Sequence, residues 1–213
     1  MNMLSHILRE LIASLRNRTL SPKEMGFAED RKNVLHVGCG AYHPQKLPRS
    51  DFPEAEWNEV RLDIDPVVQP DVVASITAMP MISDGSCDAI FSSHNIEHLF
   101  AYEVPIALDE FLRVLKPGGF ALILVPDIQT VAEWVAQDRL GETAYISPAG
   151  PITPLDMMYG LGTALAHGNH FMAHRSAFTA SFLRRRLMNS GFVDVDVLRT
   201  PERFELRAVA RKR

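Results

Sequence analysis

Residues 92–99 read SSHNIEHL, and the fold turns on what stands before and after them. His94, Glu97 and His98 have the H-x-x-E-H spacing of one class of zinc peptidases, in which two histidines on one helical face hold the metal and the glutamate works beside it. Directly before them stands CDAIFSS (87–93), a short apolar run opened by the turn SDGS. Such a run reads as a buried strand. His94 then falls in the loop that follows a strand, with a helix beginning only near Ile96, and not one helical turn from His98 on a shared face. The spacing arises easily by chance, and no metal is expected at this position.

Working outward from this strand, NVLHVGCG (33–40), EVRLDID (59–65) and DVVASI (71–76) are further short apolar runs closed by turn residues. After the motif, PIALDEFLRVLK (105–116) repeats apolar residues at helical spacing and is stopped by Pro117-Gly118-Gly119, before a fifth run, FALILVP (120–126). Strands this apolar, alternating with helices, indicate a mostly parallel sheet covered on both faces. FTASFLRRRLMNSGF (178–192) predicts one more helix with Phe178, Phe182, Leu183 and Leu187 inward, and VDVDVL and RFELRAVA alternate as antiparallel closing strands. The predicted architecture is a Rossmann-like, doubly wound α/β fold with a seven-stranded sheet, an antiparallel C-terminal pair and helices on both faces. Residues of about 127–175, rich in Gly, Pro, Met and His, are too long for a plain connection and are expected to form a lid or substrate-facing insertion. The domain is expected over 31–213, after an N-terminal helix and linker over 1–30.

Composition excludes several classes. The 213 residues are 46% apolar and 23% charged, with a formal net charge of -4, which asks for no nucleic-acid partner. Cys39 and Cys87 are too few for a disulfide framework and suit a reducing cytoplasm. No apolar run is long enough to span a membrane. Leu4, Ile7, Leu8, Leu11, Ile12 and Leu15 share one helical face, which either packs on the chain itself or a dimer mate, or lies on a membrane surface or serves as a presequence.

In open α/β sheets ligands bind beyond the carboxyl ends of the strands. Gly38 and Gly40 follow the first strand, and a strand, a glycine turn and then a helix, the order expected here, put unpaired backbone N–H groups against a ligand that glycine lets come close. The third glycine of the dinucleotide fingerprint is replaced by His43, and the phosphate loop is absent, so a pyrophosphate is disfavoured. Asp63, closing the second strand, suits vicinal ribose hydroxyls. Asp65, before Pro66, competes for that role or starts a turn. The combination fits a nucleoside without a pyrophosphate.

LHVGCG, LDIDP, MPMISDGSCDAIFSSHNIEHL and LDEFLRVLKPGGFALILVPD, in this order and spacing, resemble the class I methyltransferases that use S-adenosylmethionine, closest to the methyltransferase type 11 group. The resemblance spans about residues 33–127. It implies that Gly38 and Gly40 face the methionine part of the cofactor, that Asp63 holds the ribose, that Ser75 and Ile76 flank the adenine, and that Ser93 and His94 line the path to the methyl group. It also implies that Glu97 starts a helix and meets unpaired N–H groups there. Two positions depart from the family: His36 stands where an acid is usual, and Tyr42 where a third glycine is common. The implied activity is methyl transfer to a small-molecule or saccharide acceptor, with His94 the first candidate for a general base and His174, from HGNHFMAH (167–174), the second. The alternative is a non-catalytic scaffold that keeps the fold.

Overall fold

The structure, a computed structural model, describes residues 22–213; the predicted N-terminal helix, with its dimer or membrane-surface role, lies outside the described residues. Five parallel strands form most of one sheet: β1 (Lys32–Val37), β2 (Trp57–Asp63), β3 (Val72–Val73), β4 (Cys87–Ser93) and β5 (Leu115–Pro126). Two more strands complete it, β8 (Val193–Thr200) and β9 (Glu205–Arg211), in the order β3-β2-β1-β4-β5-β9-β8. β9 runs antiparallel to both neighbours, so the last strand of the chain is inserted inside the sheet and β8 takes the edge. The central strands are apolar on both sides because both sides are covered: Leu35 and Val37 face one core, Val34 the other.

The first core is closed by α1 (Val104–Val114) and α5 (Ala180–Asn189). α1 buries Val104, Ala107, Leu108, Phe111 and Val114, a helical stripe. α5 is capped by Thr179, whose hydroxyl accepts from Phe182 N, and buries Leu183 and Leu187. Arg184 and Arg185 stay exposed on its outer side. The second core is closed by Leu47, Phe52 and Trp57 from the β1–β2 connection and the start of β2. A helix expected after Gly40 is therefore not there: residues 38–56 run in turns interrupted by Pro44, Pro48 and Pro53. Lys46 Nζ and Arg61 bond the carbonyls of Cys39 and Gly40 at 2.8 and 2.6 Å and hold the loop in place of a helix.

β5 starts earlier than its apolar run suggests. Pro117-Gly118-Gly119 lies inside the strand, beside a register shift between Cys87 and Ala89 of β4. After β5, residues 128–172 carry more regular structure than their composition announces: α2 (Ile128–Val135), a hairpin of β6 (Tyr145–Ser147) and β7 (Gly150–Ile152), α3 (Pro154–Tyr159) and α4 (Gly162–Ala166). Val131, Ile152 and Met157 form a small core with Phe204, the residue before β9. Among the described residues no helix is long and apolar enough to cross a membrane.

Candidate active site

Two cavities open at the carboxyl end of the sheet. The smaller, about 190 Å³, is lined by Gly38, Gly40, Asp63, Ser75, Ile76 and His94 from the strand ends, and by Asn95, Met172 and Arg175. Gly38 and Gly40 both have positive φ, 62° and 58°, and a Cβ on Gly38 would fall inside the side chain of Asn95. The Asp63 carboxylate is 9% exposed and accepts from Gly40 N at 2.7 Å and Asp65 N at 2.9 Å. Two backbone donors leave about half of a carboxylate's acceptor sites for a ligand. Asp65 takes the turn role, accepting from Val67 N.

The larger cavity, about 690 Å³, lies between the sheet end and residues 145–174. Most of its lining surface is apolar, with Tyr145, Ile152, Met157 and Leu161, and polar side chains enter through His94, Ser147, Asp156, His174, Glu202, Arg203 and Glu205. His94 and Met172 line both cavities.

His94 sits at this junction with φ of 47°, a left-handed backbone that non-glycine residues seldom adopt outside constrained sites. Its Nε2 is 3.3 Å from Glu205 and its Nδ1 3.6 Å from Glu97. The ring is 44% accessible, and that surface opens into the two cavities. Enclosure by protein lowers its pKa, but the pairing with Glu205 and Glu97 outweighs this and raises it to about 10. An imidazolium has no lone pair with which to accept a proton.

Glu97 is 1% exposed, and neither carboxylate oxygen has a hydrogen-bond partner among the described residues. The helix it was expected to start is a single 3-10 turn, Ile96–His98, too short to offer the carboxylate a row of free N–H groups. Burial raises the pKa of Glu97, and the histidines around it, His94 first, bring it below the usual carboxylate value. His174 is half-buried and its pKa is lowered, chiefly by burial. Its Nδ1 is 2.8 Å from Met157 O, which fixes the tautomer with Nε2 as the free acceptor. His98 packs edge-on against His174, with ring centroids 4.9 Å apart.

Residues 35–123 match the family described as a methyltransferase domain, type 11. No curated protein matches the chain. Among solved structures, Haemonchus contortus phosphoethanolamine N-methyltransferase 2 in complex with S-adenosyl-L-methionine aligns at a TM-score of 0.54 and 13% identity, over 89% of this chain and 50% of that one. A Methanosarcina mazei S-adenosylmethionine-dependent methyltransferase aligns at 0.53 and 16%, over 91% and 98%. The chain has the class I methyltransferase fold. Burkholderia thailandensis 1,6-didemethyltoxoflavin-N1-methyltransferase, solved with 1,6-didemethyltoxoflavin and S-adenosylhomocysteine, aligns at 0.51 and 16%, over 85% and 72%. The chain spans about half the length of the Haemonchus enzyme.

Within this methyltransferase fold, Gly38, Gly40, Asp63, Ser75, Ile76 and His94 are brought to one cavity. Ser93 is not: it pairs with Leu124 in the sheet and lines neither cavity. His167 and His170 are exposed, and only His174 of that cluster reaches the site. His36, in the place of the usual acid, is 3% exposed and bonds Glu59 on the neighbouring strand at 2.6 Å, so the carboxylate sits one strand over and away from both cavities. Asn95, Met172, Tyr145 and Glu205 escaped the sequence reading. Asn95, between two singled-out residues, carried a readable signal; the other three reach the site only through tertiary packing.

Proposed function

We propose that the chain binds S-adenosylmethionine in the smaller cavity and transfers its methyl group to a small-molecule acceptor in the larger one. The observation that carries this reading is the meeting of the two cavities at His94 and Met172, one built from strand ends with a ribose-type carboxylate, the other mostly apolar. When bound, S-adenosylmethionine supplies a methyl group on a sulfonium, which is already a good leaving group. The acceptor's lone pair forms the new bond to the methyl carbon as the carbon–sulfur bond breaks, giving S-adenosylhomocysteine, and an acceptor O–H or N–H loses its proton to a base or to water. Alignment and exclusion of water are then the protein's main tasks.

Asp63 holds the ribose with its remaining lone pairs, Gly38 and Gly40 let the backbone meet the methionine end, and Ser75 and Ile76 flank the base. Asn95 lines the same cavity as Gly38, and its buried amide nitrogen has no partner among the described residues, so a small turn of the side chain offers the cofactor's carboxylate a donor. The cavity is below the usual ligand-site range of about 300–1,000 Å³. Phe171, Met172 and Arg175 on its rim belong to residues 127–175, whose role on this reading is that of a lid. A lining surface that is mostly apolar favours an acceptor with an apolar body, and Asp156, Glu202, Arg203 and Glu205 offer charged contacts to its polar groups. His94, held by two carboxylates, positions and charges the junction instead of acting as the base, and His174 with its free Nε2 is left to meet the acceptor's reacting atom. Two buried, unpaired cysteines fit a cytoplasmic setting.

Calorimetry with S-adenosylmethionine and S-adenosylhomocysteine tests the reading. The wild-type chain should bind both, and Asp63→Ala should weaken both by at least about tenfold, some 1.4 kcal/mol, with unchanged circular dichroism. A chain that binds neither would favour the scaffold alternative.

A further inference from the structure

We propose that Glu97, His98 and His174 form a binding site for a divalent transition-metal ion of the zinc type, in the wall between the two cavities, where His174 lines the larger and His98 the smaller. Two of the three come from the SSHNIEHL stretch, but the partner of His98 is not His94: it is His174, delivered from the far end of the insertion. The delivery is structural. Arg175 N and Ser176 N both donate to Glu97 O, at 2.8 and 3.0 Å, and clamp the strand-end turn to the chain beside His174. One ligand atom from each side chain lies within 4.8 Å of the others. Ligand atoms around a tetrahedral ion with bonds of about 2.1 Å are about 3.4 Å apart, so side-chain rotations that close the set by little more than an ångström complete the shell.

An independent observation is the state of Glu97. A carboxylate that is 1% exposed with no hydrogen bond to either oxygen is costly, and buried charges are normally paired or metal-bound. The nearest cation is His94, whose Nδ1 is 3.6 Å away, too long for a hydrogen bond, and the same ring faces Glu205. Even a charged His94 is one cation for two carboxylates. An ion on Glu97 supplies the missing charge.

His174 is held as metal-bound histidines usually are, with one ring nitrogen on a backbone carbonyl and the other left for the ion. His174 Nδ1 donates to Met157 O, leaving Nε2. His98 has carbonyl oxygens near both nitrogens, Ala173 O at 3.2 Å and His94 O at 3.1 Å, and a neutral ring can donate to only one of them. An ion bound to His98 takes the place of one of these two contacts and leaves the other to orient the ring. One glutamate and two imidazoles leave a fourth position open, as in catalytic zinc sites, and with the ion bound the acceptor meets that position in place of the Nε2 of His174, which is then a ligand and no longer a free base. His174 lines the acceptor cavity, so that position faces the acceptor; this role rests on the methyl-transfer reading, whereas metal binding does not.

The test is calorimetric titration of the full chain, stripped by chelator, with zinc chloride, together with the visible absorption of the cobalt(II) form. The expected result is one saturable site per chain, with d–d bands of a low-coordinate cobalt ion. His174→Ala and the isosteric Glu97→Gln should each weaken zinc by at least about 100-fold, the upper end of what loss of an outer-shell partner costs. Stabilisation by S-adenosylmethionine in the same variants reports folding and cofactor binding separately from the metal. No saturable zinc binding by the wild-type chain, or wild-type affinity in either variant, overturns the site. Failure of S-adenosylmethionine to stabilise any form would count against the methyl-transfer reading alone.

Discussion

Gly38, Asp63 and Ser75 reach the smaller cavity from the ends of neighbouring parallel strands, whereas Tyr145, Ile152 and Met157 reach the larger one from a hairpin and a short helix. The first set is positioned by backbone: Ala74 N donates to Asp63 O, Cys39 N to Leu62 O, and the register of β1 on β2 fixes where Gly38 and Asp63 fall. The second set is positioned by side chains, since the insertion packs on the sheet domain through Phe204, whose ring lies 4.9 Å from Trp134 and 6.2 Å from Tyr145. A cavity made by strand ends tolerates wide change in side chains, and one made by packed side chains is redrawn by each substitution. That difference suits a shared cofactor on one side and a variable acceptor on the other.

The residue that joins the two regions offers the largest effect. Asp127 is fully buried between β5 and α2, caps α2 through Gln129 N, and accepts from Thr130 Oγ1 at 2.9 Å and Arg199 Nε at 2.6 Å. Asp127→Ala should cost about 3 kcal/mol in urea unfolding, the lower end for a broken buried pair because Arg199 keeps a third of its side-chain surface in water. Limited proteolysis should then cut first within residues 128–172, leaving the sheet protected. Simultaneous loss of both regions would erase the contrast between them.

A paired substitution sharpens it. Gly38→Ala forces a side chain into a left-handed backbone and into Asn95, and should lose about 1–3 kcal/mol together with at least about tenfold in S-adenosylmethionine affinity. Met157→Ala removes a side chain that is 5% exposed from the insertion core and should cost about 2 kcal/mol with cofactor affinity unchanged within about twofold. Calorimetry on both variants decides; equal losses of cofactor affinity would mean that the insertion core also sets the smaller cavity.

The same contrast explains what could be read from the chain. Apolar runs that end in Gly38, Asp63 and His94 announce strands and their carboxyl ends, because period and turn chemistry are local. The order of β8 and β9 is not local: which of two similar alternating strands takes the edge depends on pairing with β5. The absent helix after Gly40 was signalled by Pro44, Pro48 and Pro53, a local rule outweighed by the habit of the fold. Glu97 misled in the other direction, since its position after a strand suggests a helix start and only the packing of residues 174–176 shows it buried and without a hydrogen bond. Glu205 and Met172 had no signal at all, being ordinary residues until the insertion folds against the sheet end.

The smallest effect concerns the acid displaced from β1. Glu59 is 17% exposed; burial raises its pKa, but the hydrogen bond from His36 and nearby positive charge, including Arg49 and Arg61, carry it below the unfolded value of 4.5. A depressed carboxyl stabilises the fold above the unfolded pKa, and that contribution is lost as pH falls from about 4.5 through the folded value. His36→Leu removes the leading cause of the depression while leaving the burial, so the acid limb of a stability–pH profile should flatten, by about 1 kcal/mol or less. Since neither Glu59 nor His36 lines a cavity, S-adenosylmethionine affinity of the wild-type chain should not follow this titration. An affinity that falls with Glu59 protonation would instead make the displaced acid an anchor acting across the strand, and the smaller cavity would then depend on side chains as the larger one does.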